Sequence, residues 1–160
     1  MRTVHLELCI AARPPGEVYA TLADFGRYPD LSEAVRAVSV ERVAADVTVS
    51  RWEVAFRAGL LRWVEEDTFD RAAGRITFRQ LEGDVAVFDG SWQCAATDTG
   101  TAITFDARID MGIPSLADAL EPIAARTLVE NTVSIVSGLF GGATVAASHV
   151  AAAALAGSRP

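Results

Sequence analysis

The sequence contains no lysine, since all 14 of its basic residues are arginines. A Schiff base through a lysine amine is therefore excluded as a catalytic mechanism. The 21 acidic residues outnumber the basic ones and give a net charge of −7. A protein of this charge is poorly suited to bind nucleic acid or an anionic membrane surface, and we expect neither as its main partner.

Cysteine is rare as well. Cys9 and Cys94 have a spacing that fits neither a metal site nor a redox pair, and both lie in strand-like runs, so we expect buried, reduced side chains. No zinc-ligand spacing, phosphate-binding loop or Ser/His/Asp arrangement occurs, and His5 and His149 lie far apart in the chain. The sequence therefore implies no metal and no other cofactor.

Segments typical of membrane targeting or membrane spanning are missing too. Arg2, His5 and Glu7 interrupt the first ten residues, so no signal peptide is visible. The least polar run, residues 134–157, is rich in glycine and alanine and makes a poor membrane span. We therefore predict a cytoplasmic protein without stable membrane insertion.

What the sequence has in quantity is apolar residues, which make up 51% of its 160 residues. Up to residue 111 they alternate with polar ones in runs separated by short turns, which predicts an antiparallel sheet of about seven strands. Two short helical segments follow the first run. After Pro114 the period changes to 3.6, and Ser115 is the predicted cap of a helix that ends near Phe140.

The predicted fold class is therefore α+β, with a curved sheet wrapped around one long C-terminal helix. Residues 1–140 would form this domain, and residues 141–160 an alanine-rich extension that is helical or frayed. Because a single helix cannot fill the concave face of such a sheet, we expect a cavity between the two.

One predicted strand, residues 61–69, carries acids among large apolar residues. Alternation places Glu65 and Asp67 on the same face as Leu61, Trp63 and Phe69. A carboxylate in such a setting needs a cation, hydrogen-bond donors or a raised pKa. The alternatives are a register shift or bulge that turns both acids to solvent, and an ion pair with Arg51 or another arginine.

Other candidate side chains would form the wall of the cavity. Gln80 could bind a carbonyl oxygen or merely satisfy backbone groups, Asn131 could face the cavity or solvent, and Tyr28 could border the entrance or anchor a loop. The aromatic residues could surround a ligand or only form the core; they are Trp52, Trp63, Phe78, Phe88, Trp92 and Phe105.

Several separated segments occur in an order that resembles the polyketide cyclase/dehydrase and coenzyme Q-binding branch of the START-like (SRPBCC) superfamily. They are residues 18–29, 63–70, 76–83, 90–92 and 112–115. The resemblance covers residues 1 to about 140. It implies the helix-grip fold and a deep pocket for a hydrophobic or poly-ketone ligand beside the terminal helix.

Aromatase/cyclases of this branch place an arginine and a tyrosine in the pocket. In this sequence Asp67 lies where that arginine would be and Ala34 or Val35 where the tyrosine would be, so neither functional residue carries over. Glu65 and Asp67 are then this chain's own catalytic candidates. Two acids this close push one pKa upward, and we predict Asp67 as the base and Glu65 as its protonated partner.

Two functions follow from this interpretation. The first is a cofactor-independent cyclase/dehydratase, of lyase or isomerase type, that acts on a poly-ketone or related intermediate of antibiotic biosynthesis by acid–base catalysis. The second is a non-catalytic carrier of a lipid or quinone. The sequence leaves open whether an acyl carrier protein delivers the ligand and whether the protein is a homodimer.

Overall fold

The computed structural model describes residues 1–56, 59–112 and 117–152, so the predicted Ser115 cap lies outside the described residues. The helices are α1 (Pro15–Ala23), α2 (Tyr28–Leu31) and α3 (Ala117–Phe140), with a 3-10 turn at Phe25–Arg27 between the first two. The strands are β1 (Arg2–Ala11), β2 (Val35–Ala44), β3 (Val47–Phe56), β4 (Gly59–Asp70), β5 (Arg75–Gly83), β6 (Val87–Ala96), β7 (Gly100–Asp110) and β8 (Thr144–Ala152).

The strands form one sheet in the order β2-β3-β4-β5-β6-β7-β1-β8, and the pairs with a described register are antiparallel. Strands β2 to β7 follow one another in the sheet in chain order, β1 pairs with β7, and β8 lies at the edge beside β1. This α+β arrangement, with short helices after β1 and a long helix after β7, confirms the predicted fold class. The described residues form eight strands instead of about seven.

The inner face of the sheet, defined here as the face that packs against α3, follows the alternation in the sequence. In β1 the inward residues Val4, Leu6, Leu8 and Ile10 are all buried. Gly138 lets α3 approach α2 closely, because a Cβ atom there would collide with the Leu31 carbonyl oxygen. The helix is thereby held across the inner face.

The alanine-rich extension is the main error of the sequence-based prediction. Residues 144–152 are neither helical nor frayed but form β8, which pairs antiparallel with the free side of β1. Gly141 and Gly142 end α3 with positive φ values of 69° and 138°, which turns the chain back toward the sheet. Backbone pairing with β1 then outweighs the helical propensity of alanine.

The strand β8 also brings together residues that are distant in the sequence. His5 of β1 lies opposite His149 of β8, with ring centroids 6.0 Å apart, on the outer face of the sheet. Cys9, expected to be buried, is exposed, whereas Cys94 is buried, and both are free thiols. Among the described residues, no helix combines the length and apolar character needed to cross a bilayer.

Candidate functional site

A cavity of about 80 Å³ lies between the inner face of the sheet and α3. Its wall is predominantly aromatic and aliphatic, and consists of Phe25, Tyr28, Trp52, Val54, Phe56, Leu61, Trp63, Glu65, Phe78, Phe88, Trp92, Phe105, Ile109, Leu128, Asn131, Thr132 and Ile135. Pockets for drug-sized ligands usually measure about 300–1,000 Å³. The aromatic rings therefore occupy most of the expected hollow, and a large ligand would require them or α3 to shift.

All of the predicted binding residues except Gln80 line this cavity. Trp52 and Trp63 form part of the wall as a stacked pair, with centroids 5.7 Å apart and ring planes at 1°. The side chain of Gln80 lies elsewhere, and its amide nitrogen donates a hydrogen bond of 2.8 Å to the carbonyl oxygen of Val85. Gln80 thus satisfies a backbone group, and its assignment to ligand binding is wrong.

The predicted set omitted several apolar lining residues. Val54, Phe56 and Ile109 continue the period-2 pattern of β3 and β7 that the sequence already showed. Leu128, Thr132 and Ile135 follow the helical period of α3 and could have been read from the same signal as Asn131. Phe25 lies in the 3-10 turn, where no periodicity marks it.

Both acids of β4 face inward. Glu65 is 5% exposed and Asp67 is fully buried, so the solvent-facing alternative is wrong. The sheet does contain an irregularity here, because Val64 pairs with Glu82 and Glu65 with Gln80. The extra residue is Leu81 on β5, which is 45% exposed. Because the bulge lies on the neighbouring strand, the alternation of β4 is preserved.

The register of β3 against β4 determines which groups meet the acids. Thr48 lies opposite Asp67, and Ser50 lies opposite Glu65. The hydroxyls of Thr48 and Ser50 donate hydrogen bonds of 2.9 and 2.6 Å to Oδ2 of Asp67. Ser50 accepts in turn a hydrogen bond of 2.7 Å from the indole nitrogen of Trp52. Hydroxyl and indole groups, rather than cations, surround the pair.

Among the described residues that line the cavity, Glu65 carries the only carboxyl group. Burial and the neighbouring Asp67, to which Glu65 is hydrogen-bonded, raise the pKa of Glu65 well above its usual value, and the hydrogen bond of 2.6 Å from the Trp63 indole opposes this rise. A hydrogen bond between two carboxyl groups requires a proton. Because its pKa is raised, Glu65 holds a proton to a higher pH than an exposed glutamate does.

Asp67 lies behind Glu65 and does not line the cavity. Its Oδ2 accepts the two hydroxyl hydrogen bonds, whereas its buried Oδ1 accepts no hydrogen bond from the described residues and is open to a proton on Glu65. The alternative of an ion pair with Arg51 is wrong, since Arg51 contacts Glu82 at 3.9 Å. Asp67 can therefore reach a ligand only through Glu65.

The remaining polar groups of the wall are largely engaged with the backbone. The Tyr28 hydroxyl donates to the Leu22 carbonyl oxygen at 2.5 Å, and burial followed by the nearby Glu65 and Asp67 raises the pKa of Tyr28 well above its usual value. The Asn131 amide nitrogen donates to the Ala55 carbonyl oxygen at 2.7 Å and so ties α3 to β3. Glu65 therefore carries the acidic group of the wall, and it is not hydrogen-bonded to the backbone.

In the described part of the chain, no cluster of three or more His, Cys, Asp or Glu side chains is arranged to hold a metal ion. Comparison with known folds gives many strong similarities, of which three are described here. A protein of Thermus thermophilus is 24% identical, with a TM-score of 0.78, and the match covers 86% of this chain and 94% of that one. An aromatase/cyclase of a Streptomyces species is 21% identical, with a TM-score of 0.74 and coverage of 87% and 92%.

A START superfamily protein of Mycobacterium smegmatis is 13% identical, with a TM-score of 0.71 and coverage of 86% and 97%. At these identities the structures show the shared fold. No curated protein sequence matches the chain. The sequence model of the family described as polyketide cyclase / dehydrase and lipid transport matches residues 11–133, which is most of the chain. The protein therefore belongs to the polyketide cyclase/dehydrase and lipid transport family.

Proposed function

We propose that the protein is a cofactor-independent cyclase/dehydratase that binds a hydrophobic poly-ketone or related intermediate in its inner cavity. The observation that carries this proposal is the buried carboxyl of Glu65, whose pKa is raised, on a predominantly apolar wall. Burying two acids is costly unless they share a proton. A carrier of an apolar ligand gains nothing from them that offsets this cost. A catalyst uses the same arrangement as a proton donor and acceptor.

Aldol closure removes a proton from a carbon between two carbonyls and adds one to the oxygen of the carbonyl that is attacked. Dehydration then removes a proton from carbon and releases the hydroxyl as water once that hydroxyl is protonated. Glu65 gives its proton to the ligand oxygen and, as a carboxylate, takes the proton from carbon. Asp67 holds Glu65 by the shared hydrogen bond and acts as the base through it, so the pair is unchanged after a full cycle.

The stacked indoles and the rings of Phe78 and Phe105 would hold a flat, folded chain against Glu65. Such positioning supplies part of the rate by orientation alone. A ligand larger than the present cavity enters by displacing half-buried residues of the α3 side, of which Leu128 and Ile135 lie on the wall.

The test uses a synthetic linear poly-β-ketone N-acetylcysteamine thioester, with products followed by liquid chromatography and mass spectrometry. Wild type should accelerate ring closure and loss of water over the spontaneous reaction. Glu65→Gln, which keeps the shape and both hydrogen bonds, should lower the rate by about 100-fold, the lower end of general acid–base contributions. Asp67→Asn should lower turnover similarly while leaving binding of the probe intact.

Glu66→Gln on the outer face is the matched control and should behave as wild type, since Glu66 contacts Arg79 and not the cavity. A product mixture identical to the spontaneous one, or unchanged turnover in both Glu65→Gln and Asp67→Asn, would exclude the catalytic role.

The second candidate function is a carrier of a hydrophobic lipid or quinone ligand. It is favoured by one observation: the polar groups of Tyr28 and Asn131 are already bonded to backbone oxygens, so the wall offers few groups for a ligand rich in carbonyls. The carrier function predicts a lipid that co-purifies with the protein and appears in native mass spectra. The first proposal, the cyclase/dehydratase, also includes three further points. They are delivery of the ligand by an acyl carrier protein, a role in antibiotic biosynthesis and a cytoplasmic location.

A further inference from the structure

A second opening lies at the other end of β3 and β4. It is a surface cleft of about 260 Å³ lined by Ala23, Arg42, Ala45, Asp46, Val47, Thr48, Phe69 and Arg71. Along β3, Thr48 is six residues from Val54 of the cavity wall, which corresponds to about 20 Å of extended strand. The cavity and the cleft therefore approach the inner face of the same two strands from opposite ends.

The pair of acids lies between these openings. Glu65 borders the cavity, and Thr48 borders the cleft. Asp67 borders neither, but it lies between them, because it neighbours Glu65 closely enough to raise the pKa of Glu65 on one side and accepts the Thr48 hydroxyl at 2.9 Å on the other. Side-chain oxygens of Glu65, Asp67 and Thr48 thus follow one another from the cavity to the cleft.

Ser50 cannot provide the same connection. Its hydroxyl also bonds to Asp67, at 2.6 Å, but it is fully buried, borders neither opening and is fixed by the indole N–H of Trp52 at 2.7 Å. Of the two residues whose hydroxyls bond to Asp67, Thr48 is the one that borders the cleft, and it is half-buried.

We propose that Thr48 is a positioning residue that links the Glu65–Asp67 pair to the cleft, so that protons reach and leave the pair through its hydroxyl rather than through the cavity. The proposal rests on the proposed function, in which a hydrophobic ligand fills the cavity and keeps water from Glu65. The Asp46 carboxylate and two arginines at the cleft provide a polar surface where the proton is exchanged with water.

The transfer involves only O–H bonds. After Glu65 has given its proton to the ligand, Thr48 passes its hydroxyl proton to Oδ2 of Asp67 and takes one from cleft water. The Asp67 carboxyl then reorients and passes a proton to Glu65. One proton enters from water for each one given to the ligand, and the reverse sequence returns a proton taken from carbon. No electron transfer and no other reactant is required.

The route can be tested on the whole protein without a reactive substrate, with cyclohexane added as an inert hydrophobic occupant that keeps water out of the cavity. The infrared carbonyl stretch of a protonated carboxyl is separate from the amide bands, and the band lost in Glu65→Gln identifies Glu65. Rapid mixing from H₂O into D₂O shifts this band as deuterium replaces the proton. In Thr48→Val, which keeps the shape but lacks the hydroxyl, we expect the shift to slow by about 100-fold, the lower end of what a positioned proton-transfer group contributes.

Two variants serve as controls. Thr48→Ser restores a hydroxyl at the cleft and should exchange as fast as wild type. Ser50→Ala removes the other hydroxyl from Asp67 and should also keep the wild-type rate, which separates the route from mere loss of a hydrogen bond on Asp67. Circular dichroism establishes that each variant is folded. Exchange in Thr48→Val at the wild-type rate, or equal slowing in Ser50→Ala, would overturn the proposal.

The outcome also distinguishes this inference from the proposed function. If the Glu65 band exchanges at the same rate with and without the Thr48 hydroxyl, the route through Thr48 is excluded, but Glu65 is still a protonated acid. If the band is absent, both the route and the protonated Glu65 are excluded. Exchange that depends on Thr48, in a protein that gives only spontaneous products in the thioester assay, supports the route and removes the catalytic function.

Discussion

Neighbouring acids on the two faces of β4 have opposite surroundings. Glu66 points outward and lies 3.3 Å from the guanidinium of Arg79, a contact that is partly exposed to solvent. Glu65, the residue before it, points inward and meets Asp67 and the Trp63 indole. An acid beside a cation in water keeps its charge at little cost. An acid beside another acid in an apolar interior must keep a proton, and this makes the inner face reactive.

The largest expected effect comes from removing the inner acceptor. Asp67→Ala leaves the buried Ser50 hydroxyl, the hydroxyl of the half-buried Thr48 and the buried Glu65 carboxyl without their acceptor. We expect a loss of about 3 kcal/mol in the free energy of unfolding, the upper end for a buried donor left without a partner. Glu66→Ala should cost about 0.5 kcal/mol, as is typical of surface pairs. Urea denaturation measures both, and equal costs would show that the two faces are energetically alike.

The pH dependence of stability gives the next effect. Because the pKa of Glu65 is higher in the folded protein than its ordinary value of 4.5, the folded state holds a proton that the unfolded state loses above that pH. This contribution to stability is complete below pH 4.5 and is lost as the pH rises through the folded pKa. Glu65→Gln carries no such proton.

The variant Glu65→Gln should therefore gain stability relative to wild type by about 1.4 kcal/mol per pH unit between the unfolded and the folded pKa of Glu65. Above the folded pKa the difference should stay constant. The measurement is the free energy of unfolding in urea at a series of pH values. Glu66→Gln, its outward neighbour, should show the wild-type slope. A constant difference between Glu65→Gln and wild type across this range would mean that Glu65 is ionised in the folded protein.

The sequence was sufficient for features that depend on local periodicity. Alternation placed Glu65 and Asp67 on one face with Trp63, and it remained correct because the nearby bulge lies on β5 at Leu81. The change of period after residue 114 likewise predicted the helix that closes the inner face. These features require no knowledge of which segments meet.

Features that depend on pairing between distant segments could not be predicted. Thr48 and Ser50 reach Asp67 only through the register of β3 against β4, which no single-strand pattern contains. The strand β8 forms only because β1 offers a free edge, and alanine alone favours a helix. The small volume of the cavity depends on how the aromatic rings pack, so the prediction of a deep hollow overestimated it.

The smallest expected effect is a change of pKa with salt. It depends on what raises the pKa, and this cause differs between the outer and the inner face of the sheet. On the outer face, the hydrogen bond from His5 to Asp106 at 2.5 Å is the first cause that raises the pKa of His5 above 6.5; burial opposes the rise, and the contact with Glu7 adds to it. On the inner face, burial is the first cause for Glu65. Salt at about 1 M screens exposed charges beyond about 3 Å but does not enter a closed, apolar interior.

Titration of both residues by nuclear magnetic resonance at low salt and at about 1 M salt should therefore show a small fall in the pKa of His5, through the longer contact with Glu7 at 3.3 Å, and no change in that of Glu65. Asp106→Asn provides the control, since it should lower the pKa of His5 at both salt concentrations without affecting Glu65. A salt-dependent pKa of Glu65 would mean that solvent ions reach the pair of acids. The inner face would then be an exposed charge cluster like the outer one. Glu65 would ionise in contact with solvent, and the proton that the proposed chemistry requires would be lost.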